Sequence, residues 1–268
     1  MSQNNIFANN NSAKQLRGIF SGKINLLFME DNPQICKLMT EDFFCSPIFY
    51  KKPVYTVSAA KKAIAGPAPF HCWILDLTLE RHNDGLDLLK AKHFLPCCIV
   101  ASGAESMNDA SLALKAGAYS VYDKKEIFMK TPIGFIDEIC ALSVLTFALK
   151  LKKAKNFELF HILIRGFIPT PERWSYSCCI NERTFRRLCE EDSSLSPKQF
   201  LSLFHALYAI VLSDCIPEST QGYDEAREKI VRNIDFYCQC FDYVLDRMDS
   251  LFRPLYFTHN THSPQGNP

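Results

Sequence analysis

The chain lacks a long hydrophobic run. Its best candidate, Ala141 to Leu149, is cut short by Lys150 and Lys152, and a membrane-spanning helix needs roughly 20 apolar residues in a row. It also lacks the basic, then apolar, then small-residue order of a signal peptide, because Ser2 to Asn11 are polar and rich in asparagine. These two absences predict a cytoplasmic protein with no membrane partner. Charge of one sign is lacking too: 30 Lys and Arg against 29 Asp and Glu leave a net charge of +1. No whole-molecule field therefore draws the chain to nucleic acid. Cysteine is not scarce, but the spacing of a zinc site is absent. Cys97-Cys98 and Cys178-Cys179 are adjacent pairs, and Cys238-Gln239-Cys240 has no second Cys or His pair at finger spacing. The twelve cysteines read as buried, reduced thiols acting as small apolar residues. His161 and His205 are lone histidines in apolar helical text, so no catalytic pairing is legible and the chain is not read as an enzyme.

What is present is a length and composition suited to two globular domains, with 268 residues, 47% hydrophobic and 22% charged. Residues 1–20 read as a disordered leader. Strand and helix signals then alternate. The strand-like runs are Ile24–Met29, Val54–Val57, Trp73–Leu75, Ile99–Ala101 and Tyr119–Tyr122. Between them lie helical stretches over Pro33–Phe44, Ser58–Ala63, Gly85–His93 and Met107–Ala116, and a long helix runs from about Ile133 to Lys153. Asn32-Pro33 is a helix start signal and Gly66-Pro67 a stop. Five βα units predict a parallel sheet covered by helices.

Polar residues sit where these strands end. Glu30 and Asp31 follow the first run, Asp76 follows Cys72-Trp73-Ile74-Leu75, Ser102 follows Cys97 to Ala101, and Lys124 follows Ala118 to Tyr122. Open α/β sheets carry their chemistry at the carboxyl ends of their strands, so one sheet would gather all five residues at one edge. Three carboxylates packed together need a cation, and carboxylates plus water suit Mg²⁺.

This constellation, over roughly residues 22–148, resembles the receiver domain of two-component response regulators. The resemblance implies a flavodoxin-like strand order 2-1-3-4-5. It implies that Asp76 accepts a phosphoryl group from a histidine kinase or phosphotransfer protein. Glu30, Asp31 and Asp76 would bind Mg²⁺ with the backbone carbonyl of Thr78, Ser102 would hydrogen-bond the phosphoryl group, and Lys124 would pair with it. Gly117-Ala118 stands seven residues before Lys124, as in that family. The chain departs from the family in four places. Glu30 replaces the commoner Asp, and Glu80-Arg81-His82-Asn83 lacks the usual proline and is one residue longer. Lys125 stands where many members have proline, and Val121 stands where the family often has an aromatic switch residue. Tyr119 and Tyr122 are expected to face the other side of the sheet from Val121.

From Phe157 helical periodicity dominates, after a linker placed at residues 149–156. Asn181 reads as the cap of a helix bearing Arg183, Thr184, Arg186 and Arg187, and Ser196-Pro197 opens a further helix from Lys198 to Val211. Asn181 to Leu188 and Leu195 to Leu201 resemble the first subdomain of the AraC-type helix-turn-helix. That resemblance makes residues 157–258 a helical DNA-binding domain, with Arg183, Thr184, Arg186 and Arg187 as contacts in the major groove. A weaker match, Asp235-Phe236, Phe241, Pro254 and Tyr256, stands for the second subdomain. A single half-site helix binds weakly unless the protein forms a homodimer. Residues 156–268 carry 11 Lys and Arg against 15 Asp and Glu, a balance of −4, whereas DNA binding releases counterions through basic contacts. The expected function is therefore a response regulator controlling transcription from DNA. The alternative is a signalling adaptor whose receiver and helices bind protein. Residues 259–268 read as a disordered tail.

Overall fold

The computed structural model describes residues 6–66, 69–81, 84–90, 97–103, 107–129, 132–149, 155–216, 224–248 and 251. Most of the expected linker, the expected tail, His82 and Asn83, and the Pro254 and Tyr256 of the weaker match fall outside them.

Strands β1 (Ile24–Met29), β2 (Phe49–Val54), β3 (Cys72–Leu75), β4 (Cys98–Ser102) and β5 (Ser120–Asp123) form one sheet in the order β2-β1-β3-β4-β5. All four pairings are parallel. This is the 2-1-3-4-5 order expected above. Side chains alternate between two cores, as the strand period of two demands. Leu26, Phe28, Ile74 and Ile99 enter one core, and Leu27, Met29, Trp73, Leu75 and Val100 enter the other. Val121 packs on the second core and Tyr122 on the first.

The helices of the sheet half are α2 (Pro33–Lys37), α3 (Val57–Ile64), α4 (Asp84–Lys90), α5 (Met107–Lys115), α6 (Lys124–Met129) and α7 (Ile133–Ala148). A π-helical turn, Leu38–Phe43, continues α2. Beyond them lie α8 (Phe157–Arg165), α9 (Pro171–Ser177), α10 (Glu182–Ser193), α11 (Pro197–Cys215), α12 (Asp224–Val231) and α13 (Ile234–Asp246). Among the described residues no single helix is long and apolar enough to cross a membrane.

Four expectations need correction. The leader is not disordered across residues 6–20, because α1 (Asn11–Phe20) is a helix capped by the Asn10 side chain. Its asparagines mask an apolar face, Ala13, Leu16 and Phe20, that is fully buried. The second strand is Phe49–Val54 rather than Val54–Val57. It is an edge strand paired only to β1, so Lys51, Lys52 and Pro53 are tolerated there and hide its strand character. The last long helix ends at Ala148, and a short helix, α6, begins at Lys124. The boundary near residue 156 does not divide two cores. A single apolar cluster runs from Phe28 through Phe135 and Leu142 to Phe204 and Phe241.

Helix α7 explains that continuity. Apart from Asp137 and Glu138 it is apolar on all sides, and it buries Phe135, Ile136, Ile139, Cys140, Leu142, Val144 and Leu145. A helix without a polar face must be covered all round. The sheet covers one side and α11, buried from Phe200 to Cys215, covers the other. Asp214 pins the arrangement. Its buried carboxylate accepts from Arg17 Nε (3.0 Å) and Ser46 Oγ (2.7 Å), joining α1, the approach to β2 and α11. At the N-terminus, Phe7 meets Phe241 edge-on at 4.9 Å, and Ser12 Oγ donates to Asp242 (2.6 Å), so α1 rests on α13.

Two histidines are buried in this core. His71 Nδ1 accepts the Asn25 N–H (2.8 Å) and His205 Nε2 meets the Ile168 carbonyl (2.8 Å). Burial pushes His71 down to about 3 and His205 down to about 4. An unfolded histidine ionises near 6.5. The unfolded chain therefore takes up protons that the fold refuses. The stability these groups confer is complete above pH 6.5 and is lost as pH falls from there towards 4. Urea unfolding at pH 7 and pH 5 should show a loss on the order of 2 kcal/mol from each histidine. His205→Gln, which keeps a donor for Ile168, should shrink that loss by about half. A loss unchanged by the substitution would refute the assignment.

Candidate functional site

The carboxyl ends of β1, β3, β4 and β5 converge, and they bring Glu30, Asp76, Ser102 and Lys124 together. Backbone hydrogen bonds set their positions: Glu30 N–H donates to Val54 O (3.1 Å) and Asp76 N–H to Met29 O (2.8 Å). Glu30, Asp76 and Ser102 are buried, while Asp31 is exposed. Lys124 Nζ donates to Glu30 Oε2 (2.6 Å) and also to Asp76 Oδ2. The second Asp76 oxygen, Oδ1, accepts from Ser102 Oγ (3.1 Å) and from the Thr78 N–H (3.1 Å). Thr78, expected to lend its carbonyl, is thus seen holding the carboxylate through its N–H.

Electrostatics follow from this crowding. Burial pushes the Glu30 carboxyl above its ordinary value, and the hydrogen bond and charge of Lys124 oppose it without cancelling it. Burial also works against the charge of Lys124, but hydrogen bonds and charge from Asp76 and Glu30 outweigh it and raise its pKa. One oxygen each from Glu30, Asp31 and Asp76 lies within 4.8 Å of the others. Three hard oxygen donors this close, partly open to solvent through Asp31, fit a small divalent cation such as Mg²⁺.

Two supporting residues were not singled out as site residues from the sequence. Asn32 caps α2 by accepting from Gln34 N–H (2.9 Å), and its own N–H donates to Glu30 Oε1 (3.2 Å). Asn32-Pro33 had signalled only a helix start. Gly85 lies against the backbone behind Asp76. A Cβ there would stand 2.1 Å from the Asp76 carbonyl oxygen and 2.7 Å from Leu77 Cα, and Gly85 N–H donates to Leu77 O (3.0 Å). A glycine following a strand-end carboxylate by nine residues is a faint signal; only the close approach gives it meaning.

The second group of expected contacts lies on α10. Asn181 caps it through the Thr184 N–H (3.0 Å). Phe185 and Cys189 face the core, and Arg183, Arg186 and Arg187 are exposed with Thr184 half-buried. Arg187 pairs with Glu191 one turn on (2.6 Å). The turn from α9 into α10 passes through Cys179 at φ 55°, a left-handed residue where glycine is usual. These residues lie on the helical half, away from the Asp76 cluster in the chain.

No family model matches this chain, and no curated protein matches it. Among solved structures it is similar to the signal receiver domain of a DNA-binding response regulator protein (merR) from Colwellia psychrerythraea. That likeness has 20% identity and a TM-score of 0.33, over 38% of this chain and 85% of that one. It is similar to NtrX from Brucella abortus, with 25% identity and a TM-score of 0.38, over 47% of this chain and 27% of that one. It is also similar to the RcsB response regulator of Salmonella typhimurium, with 15% identity and a TM-score of 0.36, over 66% of this chain and 91% of that one.

Two substitutions test the site. Gly85→Ala forces the Asp76 loop to move, so it should cost about 2 kcal/mol in urea unfolding; an unchanged midpoint would contradict the close approach. Lys124→Met leaves buried carboxylates without their cation and should cost about 3 kcal/mol. Millimolar Mg²⁺ should then stabilise Lys124→Met more than the wild type, and equal shifts would argue against a cation site at the cluster.

Proposed function

We propose that this chain is a receiver-type signalling protein that takes a phosphoryl group on Asp76 and passes the change to its helical half. The observation that carries the proposal is the convergence of Lys124, Ser102 and the Glu30–Asp31–Asp76 carboxylates at the carboxyl edge of a 2-1-3-4-5 sheet. Phosphoryl transfer to a carboxylate needs an oxygen nucleophile and fixed positive charge and donors for the developing phosphate charge. Asp76 offers the nucleophile. Its oxygen attacks phosphorus, and the bond to the donor's histidine nitrogen, or to an acyl oxygen of acetyl phosphate, breaks with its electron pair. Lys124 moves its hydrogen bond from the Asp76 carboxylate to a phosphoryl oxygen, and the Ser102 hydroxyl donates to another. Glu30, Asp31 and Asp76 would hold Mg²⁺, which neutralises phosphate oxygens when bound.

A route from this site to the helices supports the second half of the proposal. Lys124 follows β5, and at the other end of that strand Tyr119 Oη lies 2.6 Å from His161 Nε2 on α8. On α7, Asp137 accepts from Tyr208 of α11 and from Lys229 of α12 (3.2 Å). Any shift of β5 or α7 on phosphorylation therefore bears on three helices of the other half.

The output reads best as DNA binding through α10. Its support is the exposed Arg183, Arg186 and Arg187 on a capped helix that follows a short turn from α9. A second reading, a protein-binding adaptor, has its own observation. Helix α13, where the weaker second match lies, exposes Asp235, Asp242 and Asp246 and is covered on one side by α1.

Incubation with acetyl phosphate and Mg²⁺ should add one phosphoryl group, located at Asp76 by mass spectrometry and absent in Asp76→Asn. No uptake from acetyl phosphate or from any kinase would overturn the phosphoacceptor role. Mobility shift on genomic fragments, strengthened by beryllofluoride, should weaken at least about 100-fold in the triple Arg183→Ala, Arg186→Ala, Arg187→Ala variant, given about 1–3 kcal/mol per base contact. No retention in either state at low salt would shift the output to protein binding.

A further inference from the structure

Three of the twelve cysteines meet where the sheet half joins the helices. Cys45 precedes β2, Cys140 lies in the middle of α7 and Cys215 ends α11. The Cys215 thiol lies close enough to the thiols of Cys45 and Cys140, and to the backbone of Ser46, for each to influence its ionisation. Cys45 Sγ in turn donates to the carbonyl oxygen of Asp214 (2.8 Å), the peptide oxygen immediately before Cys215. Ser46 Oγ donates to the Asp214 carboxylate (2.7 Å). Residues 45–46 and 214–215 are therefore held side by side at two points besides the thiols. Cys140 and Cys215 are fully buried and Cys45 is half-buried. All three are reduced in this structure.

We propose that Cys45 and Cys215 are a redox pair that closes into a disulfide under peroxide, clamping the loop before β2 to the end of α11. Cys45 is the entry point, because it alone of the three reaches solvent. Its thiolate attacks hydrogen peroxide; the O–O bond breaks, giving a Cys45 sulfenic acid, and hydroxide leaves to become water. The Cys215 sulfur then attacks the sulfenic sulfur. The S–O bond breaks, the S–S bond forms, and the hydroxyl leaves as water with the Cys215 proton. Two thiols and one peroxide become one disulfide and two waters. Burial raises the Cys140 thiol and pushes the Cys215 thiol well above its ordinary range, which keeps both from reacting with peroxide first. Cys140 is as buried as Cys215, but Cys45 is held against the Asp214 carbonyl, so Cys215 is the partner it meets first.

The cluster suits a disulfide better than a metal ion. Among the described residues the three sulfurs do not meet the mutual spacing that the Glu30–Asp31–Asp76 group does. The pairing also spans the two halves of the fold. A bond between residues so far apart in sequence restricts the unfolded chain strongly.

Peptide mapping on the full chain tests this. Trypsin leaves Cys45, Cys140 and Cys215 in three separate peptides, since Lys37, Lys51, Lys130, Lys150, Lys198 and Arg227 flank them. Peroxide-treated protein, alkylated and digested without reductant, should yield the Cys45 and Cys215 peptides joined, and dithiothreitol should separate them. The thermal midpoint should rise by roughly 5 °C on oxidation. Cys45→Ser should remove both signals, and Cys140→Ser should keep both. Over-oxidised Cys45 beside an alkylated Cys215, a Cys140–Cys215 link, or reaction confined to exposed Cys179 would each overturn the proposal. The wild-type mapping decides the pairing even if a variant fails to fold.

Discussion

Beyond Asp137 and Glu138, helix α7 has no polar face, and the rest of the molecule is arranged around that constraint. An isolated α/β sheet half would leave one side of α7 in water, exposing side chains such as Cys140, Leu142 and Val144, which are now fully buried. Helix α11 closes that side, and it too is buried along almost its whole length. Two helices of this kind can only pair with each other or with another apolar surface. Here they pair, and α1, α9, α10, α12 and α13 pack on what remains of α11. Asp214 then fixes the orientation, because a buried carboxylate must be matched by donors in one geometry. Arg17 and Ser46 supply them.

The cluster around Asp76 is the polar counterpart of that constraint. Glu30 and Asp76 are buried next to each other, and their charges would repel. Lys124 bridges them in this structure. In the proposed phosphoryl transfer, the incoming negative charge would compete with both carboxylates and draw Lys124 from them. The position of Lys124 next to β5 places any such movement on the strand that faces α7 and α8.

Much of this was legible in the chain. Short apolar runs ending in polar residues marked four of the five strands, since buried parallel strands must be apolar and their ends must meet water. Edge strand β2 was misplaced because an edge needs little apolar content. Helix α1 was missed because its burial depends on a surface, α11 and α13, formed by residues some 200 positions away in sequence. Arg183, Arg186 and Arg187 were readable as exposed from helical spacing alone, and they are exposed.

By itself, the sequence determined the alternation of strands and helices in the sheet half, the strand-end placement of Glu30, Asp31, Asp76, Ser102 and Lys124, and the capped helix that carries the arginines. These follow from local periodicity and capping, which act over a few residues. Only the tertiary structure decided that the two halves share one core, that Gly85 backs Asp76, that Asp214 ties α1 to α11, and that Cys45 and Cys215 meet. Those features depend on which surfaces face each other across the whole chain, and local chemistry carries no record of that.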